Sequence, residues 1–487
     1  MAASGAAVRS WADLPGPPGW PLLGNATQIK SETLHTQLEQ WAEYFGPMFR
    51  IKLGPQKALV VSDPIWVQRV LRERPAGFRR SSHLAQVLAE LGASGVFTAE
   101  GDHWLRQRKL TMAAFGPDHV QRYFTTLRNC AERLCARWHG LAGQWLDLND
   151  EFSRYTIDVT CALAFGTASH AIEDPQGGIQ PALRSIFAAV AKRMVAPFPY
   201  WRYIKLPADR KLDAQLAKVN EYCRQMLHLA RQRIDQDPNL AAQPRNFIEA
   251  LVAQQNLEPS LATEAEMTGN VLTLLLAGED TSANTLTWAV WLLHKHPQHW
   301  QALQDASYAA LHGEHFPSSK QQLDDWPLLG ASLHETMRVK SVAPLLFLQN
   351  NGPCVLADVS LEADTLIILL TRQAGMQNPA IPDAWAFDPQ RWLNEQQGAA
   401  VKQASLPFGA GPRFCPGRYL AIAEMGMMLA SLLRNFKLEI APEQRHQMPE
   451  VFNFTMQPQG LRARLMPRDG APRTAMQASP EGLSAYH

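Results

Sequence analysis

Apolar residues recur along this chain with two spacings, and the change from one to the other marks out its elements. From about Pro64 to Leu311 they fall mostly three or four residues apart, the spacing of amphipathic helices. Before that stretch, Phe49-Arg-Ile-Lys-Leu53 and Ala58-Leu-Val-Val61 flank Gly54-Pro55, which predicts a β-hairpin. A shorter helix is expected over residues 328–339, short strands with turns over 340–375, an amphipathic helix over 419–434 and the last strands over 436–466. The fold class is therefore mainly α with a small β portion. Residues 1–13 are small and polar and are expected to be flexible. Leu14-Pro-Gly-Pro-Pro-Gly-Trp-Pro-Leu-Leu-Gly24 is a stiff, turn-rich lead-in, and 467–487, rich in Ala, Pro and Ser, is expected to be a loose tail. No linker or internal repeat interrupts 14–466, so one large domain is expected there.

One helical stretch stands out. Residues 269–294 are apolar almost all round, the mark of a buried helix, except at Ala277-Gly278-Glu279-Asp280-Thr281-Ser282. On a 3.6-residue period Leu274, Ala277, Gly278, Thr281 and Thr285 share one stripe. Small residues there let a flat ligand approach the backbone. The Thr281 hydroxyl is placed to bond back to the Ala277 carbonyl, which bends a helix and opens a notch. With Asp280 beside it, such a notch can carry protons.

Composition bounds the answer without deciding it. The 487-residue chain is 46% hydrophobic and 19% charged, and its net charge of +1, with no basic tract, excludes nucleic acid as the main partner. No apolar run reaches the ~18–20 residues that span a membrane, and no signal-peptide core opens the chain, so a cytoplasmic protein without a membrane anchor is expected. The cysteines are Cys130, Cys135, Cys161, Cys223, Cys354 and Cys415, with no CxxC pair, which fits a reducing compartment. His294, His296 and His299 fall where the long helix ends, where positive side chains suit the carbonyl dipoles better than they suggest a metal site.

Cys415 is unlike the other five. Phe408-Gly-Ala-Gly411-Pro-Arg413-Phe-Cys415-Pro-Gly417 sets its thiol at the tip of a glycine-rich loop just before a helix. Loop amides and the positive helix end favour a thiolate, and glycines let the backbone close around the sulfur. Such a sulfur is a good single axial ligand for iron. A plainer reading is a buried, inert cysteine. Glu335-Thr-Met-Arg338, taken alone, is an ordinary ion pair three apart on a helix, and Trp104 with Arg108 is an aromatic ring against an arginine stem.

Together these segments resemble the cytochrome P-450 monooxygenases. The cysteine loop matches the family pattern Phe-x-x-Gly-x-Arg-x-Cys-x-Gly at every fixed position, and 277–282 matches Ala/Gly-Gly-x-Asp/Glu-Thr-Thr/Ser. Glu335 and Arg338, with Phe387-Asp-Pro389-Gln-Arg391-Trp392, match a third motif, and Gly101-Asp-His-Trp104-Leu-Arg-Gln-Arg108-Lys-Leu110 a fourth. The resemblance implies a P-450 fold with haem b between the long helix and the cysteine loop. It implies Cys415 as axial ligand, with Ala277, Gly278, Phe408, Gly409 and Gly417 around the cofactor. Trp104, Arg108 and Arg413 become propionate donors, and Thr281 and Asp280 deliver protons to bound dioxygen. Glu335, Arg338 and Arg391 become a buried structural triad. One departure is plain: many relatives carry another propionate arginine shortly after the equivalent of Pro344, and Leu345-Leu-Phe-Leu-Gln-Asn350 has none.

The activity so implied is insertion of one oxygen atom of dioxygen into a C–H or C=C bond, the thiolate favouring O–O cleavage. A monomer is expected, with electrons from an external ferredoxin or flavodoxin and its reductase, docking on a basic face of Arg106, Lys109 and Arg418, with Lys402. A peroxide-driven peroxygenase, a redox-neutral haem enzyme on the same fold and a haem sensor are the rivals; Asp280-Thr281 argues against the first. The substrate pocket is expected to draw on Leu84 and Val96, Val195, Val342, Ala343 and Leu346, and Phe454 and Thr455. Beyond Arg193 and His83 these segments carry few charges, which points to a medium-sized hydrophobic substrate.

Overall fold

The computed structural model describes residues 8–115, 117–167, 169–174, 179–196 and 198–468, without the side chains of 117–120 and 195. Its longest helix, Glu264–Lys295, crosses the core and starts at a capping box: the Thr263 hydroxyl accepts from the Glu266 amide at 3.3 Å, and the Glu266 carboxylate accepts from the Thr263 amide at 2.7 Å. Leu148–Phe165 packs along it, and Pro327–Val339 and Arg418–Asn435 also lie against it. Trp288, Phe152, Leu286, Leu429 and Leu433 fill the space between these helices and have almost no exposure.

The strands, in chain order, are β1 (Arg9–Ser10), β2 (Met48–Leu53), β3 (Gln56–Val61), β4 (Phe78–Arg80), β5 (Trp145–Asp147), β6 (Leu345–Asn350), β7 (Cys354–Leu356), β8 (Val359–Leu361), β9 (Leu366–Leu370), β10 (Phe436–Ile440), β11 (Glu450–Asn453), β12 (Thr455–Pro458) and β13 (Arg462–Pro467). The largest sheet runs β2-β3-β9-β6-β4, and its β2/β3 hairpin is in register from Met48 opposite Val61 to Leu53 opposite Gln56. Two further sheets run β1-β8-β7 and β10-β13-β5, and β11 pairs with β12.

One expectation needs correction. Residues 8–13 are ordered, although the segment was expected to be flexible. β1 pairs with β8, Arg9 bonds Asp358 at 2.7 Å, and the Trp11 indole donates to the Ala58 carbonyl at 3.0 Å. A half-buried ring with its hydrogen bond, the strand pairing and an ion pair outweigh the polar composition. Inside the helical stretch, β4 and β5 are strands of three residues each, too short to show an alternating period. Residues 1–7 lie outside the described residues, as does the expected tail apart from Pro467, which ends β13, and Arg468, whose amide bonds the Asn435 carbonyl at 2.8 Å.

Candidate active site

The cysteine loop is closed by one backbone bond, from the Cys415 amide to the Phe408 carbonyl at 2.8 Å. Gly411 has φ +67°, and a Cβ on it would lie 2.7 Å from Arg72 Cα, so the loop presses on the end of helix Pro64–Arg72 where no side chain fits. The sulfur sits at the start of helix Arg418–Asn435 and takes a hydrogen bond from the Gly417 amide. Its acidity differs from expectation. Burial pushes the thiol up, and the Gly417 amide, Arg108 and Arg418 pull it back only in part.

Across a cavity of about 370 Å³, Cys415 faces the long helix. The stripe Leu274, Ala277, Gly278, Thr281 and Thr285 lines that cavity, as do Trp104, Arg108, Phe408, Gly409, Arg413 and Gly417. The helix stays continuous there, with the Thr281 hydroxyl donating to the Ala277 carbonyl at 2.9 Å and Thr285 to Thr281 at 2.8 Å. Ala277 is exposed in the middle of a largely buried helix because cavity space lies over it. Gly278 also governs packing on its other side. A Cβ on it would fall 2.4 Å from Thr160 Oγ1, so it sets the approach of helix Leu148–Phe165.

Three acids lie near the notch. Asp280 is half-buried; burial raises its pKa, and the Thr455 hydroxyl, which donates to its carboxylate from β12, lowers it. Glu279 is buried, with Oε2 unpartnered. Burial and the neighbouring Asp280 charge push its carboxyl up to about 8. Glu424 lines the cavity from the helix after the cysteine, and burial, opposed by Ser282, pushes it up to about 8 as well. Sequence reasoning missed Glu279 and Glu424. An acid inside an apolar helical run was the available signal.

The cationic side of the cavity is larger than expected. Trp104 and Arg108 both reach it, the Arg108 guanidinium lying 4.5 Å from the Phe414 ring centre and Arg413 lying 4.6 Å from that of Trp104. Arg413 is not free: Nη2 donates to the Ala99 carbonyl at 2.6 Å and pairs with Glu100. Arg108 Nη2 and Arg413 Nε are buried with no hydrogen-bond partner. Unused, inward-facing donors around a cavity that ends on a thiol fit a flat anionic cofactor such as haem, with Cys415 on the iron and these donors toward its carboxylates.

The third motif forms a closed network. Glu335 accepts from Arg338 at 2.8 and 2.7 Å, from Arg391 at 3.0 Å, from the Trp392 indole at 2.7 Å and from the Asp388 amide at 3.0 Å. The remaining arginine donors go to backbone carbonyls of Pro382, Asp383, Ala384 and Ala386. Glu335, Arg338 and Arg391 are all buried.

A second cavity, about 690 Å³ and mostly apolar, meets the first at Ala277 and Thr281. Leu84, Ala343, Leu346, Phe454 and Thr455 line it, together with His83. Val96 and Val342, expected in the substrate pocket, line the cysteine cavity, and Ala343 and Leu346 line both cavities. The Val96 amide is tied to Asn270 on the long helix at 2.9 Å, and the Val342 carbonyl accepts from the Met456 amide at 2.8 Å. Arg193 is absent from the wall, because it is buried between Asp209 and the Trp201 ring. The Val195 side chain lies outside the described residues. Met194, at the start of the expected segment 194–200, lines the wall, and unforeseen wall residues include Phe97, Phe187, Val190 and Ala191, the last three spaced with Met194 as one helix face. Leu22 and Leu23, both exposed, also line this cavity.

On the outer surface, Arg106 and Lys402 are exposed. Lys109 is not a free charge, since it pairs with Glu258 at 2.6 Å, and Arg418 is stacked between Phe414 and Tyr419. The three histidines form no metal cluster: His296 Nδ1 contacts the Leu292 carbonyl at 2.8 Å, and no group of three or more His, Cys, Asp or Glu with metal-binding geometry occurs among the described residues. Nor is any described helix long and apolar enough to cross a membrane.

The family model described as Cytochrome P450 matches residues 14–464. The 25-hydroxyvitamin D-1 alpha hydroxylase, mitochondrial, of Homo sapiens is 29% identical over 90% of this chain and 89% of its own. The pentalenene oxygenase of Streptomyces avermitilis is 25% identical over 92% of this chain and 96% of its own. A bifunctional cytochrome P450/NADPH–P450 reductase of Fusarium oxysporum is 26% identical over 87% of this chain and 40% of its own. A match of this length, on a chain whose lone loop thiol faces a threonine notch across one cavity, places the protein in the cytochrome P450 family, as a haem-thiolate monooxygenase.

Proposed function

We propose that the protein hydroxylates or epoxidises a medium-sized hydrophobic molecule, using haem b and electrons from an external ferredoxin or flavodoxin and its reductase. The observation that carries this reading is the meeting of the two cavities: an apolar chamber of about 690 Å³ opens onto the Cys415 cavity beside Ala277 and Thr281. That volume suits a substrate of drug-like size, and Leu84, Leu346, Phe187 and Phe454 offer it apolar contact with few fixed charges. Two relatives named for 25-hydroxyvitamin D and pentalenene agree with an apolar substrate. Haem, when bound, supplies dioxygen binding and O–O cleavage, which an axial thiolate favours.

The chain's own residues do the rest. Trp104, Arg108 and Arg413 hold the carboxylate edge of the cofactor. Thr281 and Asp280 hold and pass protons beside Ala277, and Thr455 orients the Asp280 carboxylate. The chamber excludes water from the bound substrate. Arg106 and Arg418 receive an acidic electron donor over the cysteine loop, with Lys109 joining them where the donor displaces its partner Glu258. The same reading has a monomer in the cytoplasm, and six free cysteines, four of them deeply buried, agree with a reducing compartment.

Ligand titration followed in the Soret band tests the substrate site. Apolar ligands are expected to displace haem-bound water and shift the band. Leu84→Trp and Leu346→Trp, which fill the chamber, are expected to abolish the shift. A shift that survives both substitutions would place the substrate elsewhere.

A further inference from the structure

The arginine that β6 lacks leaves a question of charge. Four guanidinium side chains line the Cys415 cavity: Arg74, Arg80, Arg108 and Arg413. Glu100 is the one carboxylate bonded to any of them among the described residues, pairing with Arg413 and accepting from the Arg80 backbone amide at 2.8 Å. Arg74 sits just past helix Pro64–Arg72 and is 5% exposed, yet its Nε and Nη2 have no hydrogen-bond partner. Arg80 lies on β4, opposite Leu348 of β6, and is 8% exposed. Its Nε donates to the Phe97 carbonyl at 2.8 Å, and its guanidinium covers the Phe97 ring at 3.6 Å, which leaves the Nη edge for other partners.

Buried cations without counter-ions are costly, and proteins keep them where an anion arrives. Burial and the neighbouring Arg413 charge push Arg74 down to about 10, a direction an added anion would reverse. Glu100 offsets one of the four positive charges, so the cavity keeps an excess of cation that an anionic ligand would balance.

We propose that Arg74 and Arg80 bind the haem propionates, so that the end of helix Pro64–Arg72 and β4 supply the cations that β6 does not. The inference rests on the haem reading above. Arg74 donates through Nε and Nη2, the two nitrogens now unpartnered, and Arg80 through its free guanidinium edge. Both bonds are charge-assisted and planar, as guanidinium pairs with carboxylates are.

The test is cofactor release from the holoenzyme into excess apomyoglobin, followed by absorbance. Wild type, Arg74→Gln, Arg80→Gln and the double variant are each loaded with haem and with haem dimethyl ester, whose propionates are capped. Wild type is expected to release the diester faster than haem. The double variant is expected to release haem about ten- to a hundredfold faster than wild type, as for lost hydrogen bonds to a charged group. It is expected to release the diester at the wild-type rate. Equal release of haem and diester from wild type overturns the proposal without any variant. So does a double variant that keeps haem as wild type does, or one that loses both cofactors faster by the same factor. If the glutamine variants fold poorly, Arg74→Lys with Arg80→Lys keeps the charges, and its haem release is expected to fall between those of wild type and the diester. Lysine variants releasing haem and diester alike would overturn the assignment. Wild type that takes up neither cofactor would overturn the haem reading and this inference with it.

Discussion

Cys415 is held by one backbone bond and one amide, in surroundings that disfavour a bare thiolate. A bound metal cation would favour its thiolate, so on the proposed reading an apolar loop can still serve iron. Cys415→His is expected to remove the thiolate-type absorption of the reduced carbon monoxide complex; a retained band would move the ligand elsewhere. On the proposed reading Thr455 acts through Asp280. Thr455→Val removes the hydroxyl that Asp280 accepts from, and product formed per reductant consumed is expected to fall about fivefold, the worth of one hydrogen bond. An unchanged ratio would show that Asp280 needs no such partner. Glu279 gives a pH signature. Its folded pKa of about 8 lies above the ordinary 4.5, so the folded state holds the extra proton between those values. The stability it contributes is complete below about pH 4.5 and is lost as pH rises through about 8. Glu279→Gln is expected to flatten that loss in melting temperature between pH 5 and pH 9, and an unchanged slope would mean the carboxyl is charged throughout.

Among the elements, the long helix could be recognised from sequence alone because its small and hydroxyl residues recur on a 3.6-residue stripe, and all five of those residues face the cysteine. What the stripe did not reveal is its other side. Gly278 serves Thr160 as much as any cofactor, and a contact between two helices leaves no pattern in either one. Gly278→Ala is expected to cost about 1–3 kcal/mol by overpacking, and Thr160→Ala to recover most of it, as read from denaturant midpoints. Independent, additive losses would show that the two do not touch. The Glu335 cluster was legible only through family likeness, since two charges three apart look like a surface pair. Burial makes the difference. Glu335→Ala strands two buried arginines and is expected to cost about 3–5 kcal/mol and to lower haem content. Normal melting and full haem loading would reduce the cluster to an ordinary bridge.

At the scale of the whole molecule, the chamber wall gathers residues from Leu22 to Thr455, and that dispersal is why only part of it was foreseen. The spacing of Phe187, Val190, Ala191 and Met194 was available, but nothing local said which cavity that face would meet. The basic surface shows the opposite limit. Its charges could be read off the chain, whereas the Lys109–Glu258 pair joins residues far apart in sequence. Reversing the charge at Arg106 and Lys109 together is expected to slow reduction by an acidic donor and weaken its salt dependence near ~0.1 M, without affecting ligand titration. Reduction as fast as before would move docking to another face.

The segment Pro382–Ala386 makes little regular backbone structure of its own; four of its carbonyls are held by arginine side chains from Arg338 and Arg391. A stretch fastened in this way cannot settle until its fasteners are in place, so its place in the fold implies an order in time. The order expected from this dependence is that Pro327–Val339 docks first, the stretch around Arg391 closes on Glu335 next, and the chain leading to Cys415 acquires its fixed path last. Pulse-labelled hydrogen exchange during refolding is expected to protect the amides of 330–339 before that of Cys415, making the cysteine loop one of the last parts of the protein to take shape; simultaneous protection would remove that order.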